Sequence, residues 1–458
     1  MNVNKMVRAY CNRASAYRVP APRAKMRYAN MKRKMVLISV AFFIFSALMP
    51  AGKIPLKKAV ETGIKKDSQY KNRLLDSKIT RLNRQKVQMK RLFNLDFGGS
   101  YLFKSQQMEI AVIPGTTITA GAKHNYDLKL ALVQPIFTGN ILANAIKLEM
   151  QKETVTKNKT LLREIEVAGL IKFSYFTFQL LENKKKSLSL LIKNLKLHLK
   201  RLSDYYKEEL VKKSDVLETG IKISEAKMTL EELNQLTTEE KINFKKLCGF
   251  TIDEIEKDYR ETIGTLDDSL SFFKTRHPAL ETIDQNIRMH LLKKKIVSGN
   301  YLPQVKGFAE LHYGRPGIDF FANQWSLYFQ GGIAVNLKIF DWNQLKKDKT
   351  IVDFTVQQLN NRKEELILEI EKNLAKLYSK KSSIEKQLKM VENLVKFADE
   401  DAGLKEALYK ENQVANIDYL SALLTKERYE SRQNELMLQS QLIKLNINTL
   451  IGRYGEEK

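Results

Sequence analysis

Five histidines could hold a metal ion or carry a proton if the fold brought them together: His124, His198, His277, His290 and His312. No two of them stand four residues apart, the spacing that sets two ligands on one helix face, and no HExxH, glycine-rich phosphate loop or nucleophile elbow accompanies them. Adjacent carboxylates occur at Asp267-Asp268 and Asp399-Glu400-Asp401. Neither group sits in an apolar run that would raise a carboxyl pKa for acid/base work, so both read as solvated surface. The aromatic run Phe173 to Phe178 reads as helix packing rather than a ligand cage. What does recur is Asp215, nine residues after Tyr206, and Asp418, nine after Tyr409. A carboxylate kept at one place in a repeated unit can cap a helix or present charge to a passing ion. Neither role is catalytic, and the residues assemble no enzyme.

Those two aspartates belong to a long internal repeat. An offset of 203 carries Tyr206-Lys207-Glu208 onto Tyr409-Lys410-Glu411 and Asp215-Val216-Leu217 onto Asp418-Tyr419-Leu420. The same offset carries Val211 to Val414, Tyr175 to Tyr378, Ile136-Phe137 to Ile339-Phe340, and Leu247-Cys248-Gly249 to Leu450-Ile451-Gly452. An offset held without a gap from a strand end to a helix end marks a duplicated supersecondary unit.

The elements that must position the aspartates follow from periodicity. Leu56, Ala59, Val60 and Ile64, then Leu74, Leu75, Ile79 and Leu82, predict helix from Ile54 to about Met89, broken near Lys66-Asp67-Ser68. Alternation of period two predicts strands near 93 to 104, 124 to 136, 301 to 313 and 325 to 339, with a bulge at Gly331-Gly332. The loop between the first two strands is seven residues longer than that between the last two. Apolar residues at threes and fours predict one very long helix from Gly139 to about Lys207 and a second from Trp342, each followed by a turn and a returning helix. A shorter helix, Ala279 to about Val297, precedes the third strand. The expected organisation is a prefix and signal peptide over 1–51, a first repeat over 52–250, a connector over 251–276 and a second repeat over 277–458.

Composition narrows the function classes. The chain has 458 residues and a formal net charge of +26, with Lys and Arg spread over its whole length among glutamates at helical spacing. That pattern describes a solvated lysine-rich surface and argues against a nucleic-acid binder, which needs a basic block set among aromatics. The apolar run from Met35 to Ala51 follows Lys32-Arg33-Lys34 and is shorter than the roughly 20 residues that span a bilayer comfortably, so it reads as a signal peptide, with an uncleaved anchor as the alternative. The mature chain is expected to start between about Ala47 and Lys53. Residues 1–30, with Cys11, read as an over-extended start or a dispensable prefix. Cys248, before Gly249 at a helix end, reads as a small buried apolar residue.

Two strands per repeat are too few to close a barrel. In lipid the edges of an open four-stranded sheet would leave N–H and C=O groups unpaired at several kcal/mol each, so such a sheet closes only by adding subunits. Trp and Tyr near the strand ends suit a membrane interface.

The residues that follow each strand and flank each turn resemble those of the TolC-like outer-membrane efflux proteins. The resemblance spans about residues 54 to 455. It is carried by Gln134-Pro135-Ile136-Phe137-Thr138-Gly139, by His277-Pro278 and Tyr301-Leu302-Pro303, and by the turn patterns Tyr206 to Leu217 and Tyr409 to Leu420. It implies a mostly α fold with membrane β: duplicated long-helix hairpins forming a trimeric α-barrel, capped by a 12-stranded β-barrel with four strands per protomer. It further implies an outer-membrane exit duct for efflux or protein secretion, reaching far into the periplasm. Such a duct has no cofactor and docks to a periplasmic adaptor and an inner-membrane pump or ABC-type transporter. Other readings are a periplasmic adaptor, which has one hairpin rather than two, and a membrane-tethered coiled coil, for which the alternating strands have no use.

For the turn end, the resemblance implies that Glu209, Leu210, Val211, Asn412, Gln413 and Val414 meet the adaptor. Family members carry Gly where this chain has Glu209 and Asn412; Glu tolerates the left-handed conformation poorly, which predicts a differently shaped first turn. Asp215 and Asp418, with Tyr206 and Tyr409, are expected at equivalent places near the narrow end, Asp418 ahead of Asp215 as the pore-lining residue. The alternative is that Asp418 caps the returning helix.

Overall fold

Two helices of 67 residues set the scale of the molecule. In the computed structural model, which describes residues 53–453 apart from 114, 256–258, 320 and 412, the first runs Ile141–Lys207 and the second Gln344–Lys410. Each end of the second lies 203 residues after the same end of the first, and each helix is about 100 Å long at 1.5 Å per residue. Both start after a left-handed asparagine, Asn140 at φ 62° and Asn343 at φ 64°. Asn tolerates this conformation because its short polar side chain bonds locally. The expected signal peptide and prefix lie outside the described residues.

In chain order the helices are α1 (Leu56–Lys66), α2 (Ser68–Met89), α3 (Ile141–Lys207), α4 (Lys213–Cys248), α5 (Leu266–Arg276), α6 (Pro278–Gly299), α7 (Gln344–Lys410) and α8 (Asn416–Leu450). The break between α1 and α2 falls at Asp67, as the sequence predicts. Its carboxylate caps α2 by accepting from Tyr70 N–H at 2.7 Å and takes two bonds from Arg163 of α3, at 3.0 and 2.8 Å. α1 buries Leu56, Ala59, Val60, Gly63 and Ile64, the face predicted from their spacing. Gly63 lets α1 lie close to α3 and the end of α4, because a Cβ there would meet the Ile171 side chain and stand 3.1 Å from Leu247 O.

The connector is not structureless. It contains α5, whose start is fixed by a reciprocal cap between Thr265 and Asp268, so Asp268 is a helix cap where the sequence reading had only solvated surface. Phe273 of α5 and Leu280 of α6 enter a core with Leu374 of α7 and Leu436 and Ile447 of α8. A second core joins Leu191 and Leu195 of α3, Ile223 of α4 and Leu420 of α8. Tyr175, Phe176 and Phe178 are buried in helix packing, and Cys248 is fully buried with its thiol on Phe244 O.

The strands are β1 (Asn94–Phe103), β2 (Met108–Ile113), β3 (Thr116–Ala120), β4 (His124–Thr138), β5 (Gln304–Arg315) and β6 (Ser326–Asn336). One antiparallel sheet has the order β1-β4-β5-β6, and the long loop between β1 and β4 folds into its own hairpin, β2-β3. The sequence places a bulge at Gly331-Gly332, yet β5 pairs with β6 in unbroken register through both. These glycines make room for rings instead: a Cβ on Gly332 would stand 3.2 Å from Phe308, and one on Gly331 3.2 Å from Phe329. The irregularity lies between Pro135 and Phe137, since proline has no N–H to give the ladder.

Candidate functional site

At the end where α3 turns into α4 and α7 into α8, the two turns close alike. Leu210 N–H donates to Tyr205 O and Gln413 N–H to Leu408 O, both at 2.9 Å and both six-to-one bonds; in the first turn the bond ends the helix through a left-handed residue. Glu209 occupies that position at φ 59°. Glu209 thus takes the left-handed conformation despite a cost of about 1–2 kcal/mol for a side chain in this region, with the carbonyl of Tyr205 paired. Asn412 lies outside the described residues. Glu209, Leu210 and Gln413 are exposed, Val211 and Val414 half-buried.

The two aspartates differ in what they do. Asp215 accepts from Lys212 N–H at 3.2 Å and so closes the start of α4. Asp418 is exposed, the start of α8 has no side-chain cap, and the Asp418 carboxylate meets no hydrogen-bond donor among the described residues. The capping role that competed for Asp418 belongs to Asp215. The tyrosines also part company: Tyr206 is exposed, whereas Tyr409 stacks on Tyr419 at 5.7 Å and its hydroxyl is buried without a described partner. Burial, then the nearby Asp215 charge, pushes the Tyr409 phenol up, and burial pushes Tyr419 up to about 12.

Sequence reasoning missed the hub that ties the two turns together. His198 of α3 is 3% exposed, lies edge-on to Tyr409 and Tyr419, and meets Asn416 Oδ1 at 2.7 Å. The amide of Asn416 donates to Asp215 O at 3.3 Å and to Thr219 Oγ1 at 3.4 Å. With its NH2 so engaged, Asn416 offers His198 an oxygen, and the imidazole answers with Nε2–H. Burial holds the His198 pKa down, which keeps the ring neutral. The duplication could not reveal this hub, because the residues 203 positions before Asn416 and Tyr419 are Lys213 and Val216.

At the other end, the register aligns the faces of four strands. Phe97, Leu130, Leu311 and Phe329 are direct neighbours across the sheet, and all stand 40–74% exposed. On the same face an aromatic chain runs over one end: Tyr101 against Tyr126 at 5.1 Å, Tyr126 against Trp325 at 5.7 Å and Trp325 against Tyr313 at 5.0 Å. The opposite face is mostly polar, with Asp96, Ser100, Asp127, Lys129, Glu310 and Gln330. Strands β1 and β6 are each paired along one edge only.

The remaining histidines stay apart. His124 bonds Tyr101 Oη at 2.9 Å, and His277 accepts from Ala279 N–H at 3.2 Å to start α6. Among the described residues no group of three His, Cys, Asp or Glu has the geometry for a metal ion. No described helix is long and apolar enough to cross a membrane.

No family model matches the sequence, and no curated protein matches it. Solved structures do. The outer membrane protein VceC from Vibrio cholerae matches with a TM-score of 0.70 at 13% identity, over 87% of this chain and 96% of that one. CusC, described for its transmembrane channel formation, matches at 0.71 and 13%, over 88% and 94%. The MtrE outer membrane channel from Neisseria gonorrhoeae, in its open state, matches at 0.66 and 12%, over 88% and 90%. This chain has the fold of these outer-membrane channels, and the resemblance to the TolC-like proteins read from its sequence holds at the level of that fold.

Proposed function

We propose that the chain is one protomer of a passive outer-membrane exit duct for efflux or protein secretion. The observation that carries this reading is the register of the sheet: one face is apolar and exposed across all four strands, the opposite face is mostly polar, and β1 and β6 have open edges. An apolar outer and polar inner face suit a barrel wall, and an open edge in lipid costs several kcal/mol for each unpaired group. Three copies joined β6 to β1 give a closed barrel of 12 strands and leave no edge. The long helices, read as two repeats over 52–250 and 277–458 around the connector 251–276, continue that barrel as an α-helical tube into the periplasm.

The turns at the far end then meet a periplasmic adaptor through Glu209, Leu210, Val211, Asn412, Gln413 and Val414, with an inner-membrane pump or ABC-type transporter behind it. Asp418, exposed and not committed to a cap, is our choice for an acidic ring at the narrow end, ahead of Asp215; Tyr206 and Tyr409 flank it. The test is assembly and conductance. Protein extracted from outer membranes in mild detergent should run as a heat-resistant trimer and open discrete channels in a planar bilayer. A monomer that opens none refutes the duct.

A further inference from the structure

The polar face of the sheet carries a cluster that transport through a passive duct does not require. His312 of β5 is 6% exposed, and both ring nitrogens meet carboxylates. Nδ1 lies 2.9 and 3.1 Å from the two oxygens of Asp127 on β4, and Nε2 lies 3.4 Å from Glu310 Oε2. An ionised carboxylate only accepts hydrogen bonds. A neutral imidazole can donate from Nδ1 to Asp127 and accept at Nε2 from the amide of Gln330, whereas an imidazolium donates to both carboxylates, so the cluster provides partners for the ring in either protonation state. Tyr328 of β6 stacks flat on the ring, with centroids 4.8 Å apart and planes parallel, and an aromatic face favours a cation. The other groups at the cluster are Lys129 of β4, 3.3 Å from Glu310, and Gln330 of β6, whose amide donates to Glu310 Oε2 at 2.6 Å and lies 3.2 Å from His312 Nε2.

We infer that Asp127, Lys129, Glu310 and His312 form a proton-controlled filter for small inorganic ions in the lumen of the barrel. With His312 protonated the two carboxylates are balanced by two cations and the cluster is neutral. When His312 loses its proton, each chain presents one net negative charge to the lumen, and a trimer presents three. Negative charge lining a confined pore draws cations and repels anions, so cation preference rises with pH. This rests on the duct reading, because the polar face must line the lumen.

The test is the reversal potential of single channels in a KCl gradient between about pH 5 and about pH 9, a range that brackets histidine titration. The wild type should gain potassium-over-chloride preference by about twofold or more on going to high pH, from the three added charges. His312→Gln, which keeps the side-chain polarity but cannot bind the proton, should hold the alkaline preference at all pH. Asp127→Asn should lower cation preference throughout, so that the filter is still tested if His312→Gln does not assemble. Channels of both variants with wild-type selectivity and wild-type pH dependence overturn the filter and leave the duct standing. A wild type that forms no channel overturns the duct and the filter with it.

Discussion

Placing a lysine on the apolar face of the sheet separates a membrane barrel from a soluble sheet. Leu311 stands in the aligned row Phe97, Leu130, Leu311, Phe329, four residues from the end of β5 at Arg315 and seven from its start at Gln304. It is 41% exposed on a face that no other described element covers, so in water Leu311→Lys would cost little. In lipid the same change near the bilayer midplane costs about 2–4 kcal/mol, and three copies bring the loss to about 6–12 kcal/mol per trimer. Tyr313→Lys, two residues nearer the aromatic end, should cost about 0–1 kcal/mol per chain, since the penalty falls toward the interface. Ser100, exposed on the polar face and paired with Asp127 in register, provides the comparison. Ser100→Lys should be tolerated. The assay is the urea midpoint for refolding into phosphatidylcholine vesicles, read by the heat-resistant oligomer. The expected order of stability is Ser100→Lys, then Tyr313→Lys, then Leu311→Lys. Equal midpoints for Leu311→Lys and Ser100→Lys would remove the strands from the membrane.

Three further outcomes are expected. Asp418→Asn should weaken cation preference and divalent block in single-channel recordings without changing thermal stability, since Asp418 caps nothing; unchanged selectivity removes it from the pore. Asp67→Ala should loosen the α1–α2 junction by about 2–3 kcal/mol, through loss of the cap to Tyr70 and both bonds from Arg163, seen as faster hydrogen exchange over residues 64–74. Those bonds hold the Asp67 carboxyl below the usual range, so its contribution is present above the unfolded value of about 3.9 and is lost as pH falls through the folded one. His277 is buried neutral, its pKa pushed down to about 4. Its contribution is present above the unfolded value of about 6.5 and is lost as pH falls toward the folded one, so exchange over residues 273–281 should accelerate on acidification. His277→Asn, which keeps a cap acceptor and no proton site, should abolish that acceleration; an unaltered pH profile refutes the assignment.

The sequence by itself determined the elements and their repetition. Helix and strand periods depend on which neighbours along the chain share a face, and a duplication copies those neighbours, so the long helices and the apolar face of each strand were legible from residue types alone. The burial of Cys248 and the break at Asp67 were legible for the same local reason. What the sequence could not decide lies where residues far apart in the chain meet. Two exceptions are local: Glu209 looked unsuited to its turn, but the bond from Leu210 N–H to Tyr205 O, five residues back, closes the turn around it in the left-handed conformation. Asp215 and Asp418 looked alike, and only the loop before each helix decided that one caps and the other stands in solvent. The His198–Asn416 hub departs from the repeat, and the His312–Asp127 contact spans 185 residues through the β4–β5 register. Neither pair carries a local signature, because a hydrogen bond across the fold depends on where two backbones are brought and not on the spacing of the residues that make it.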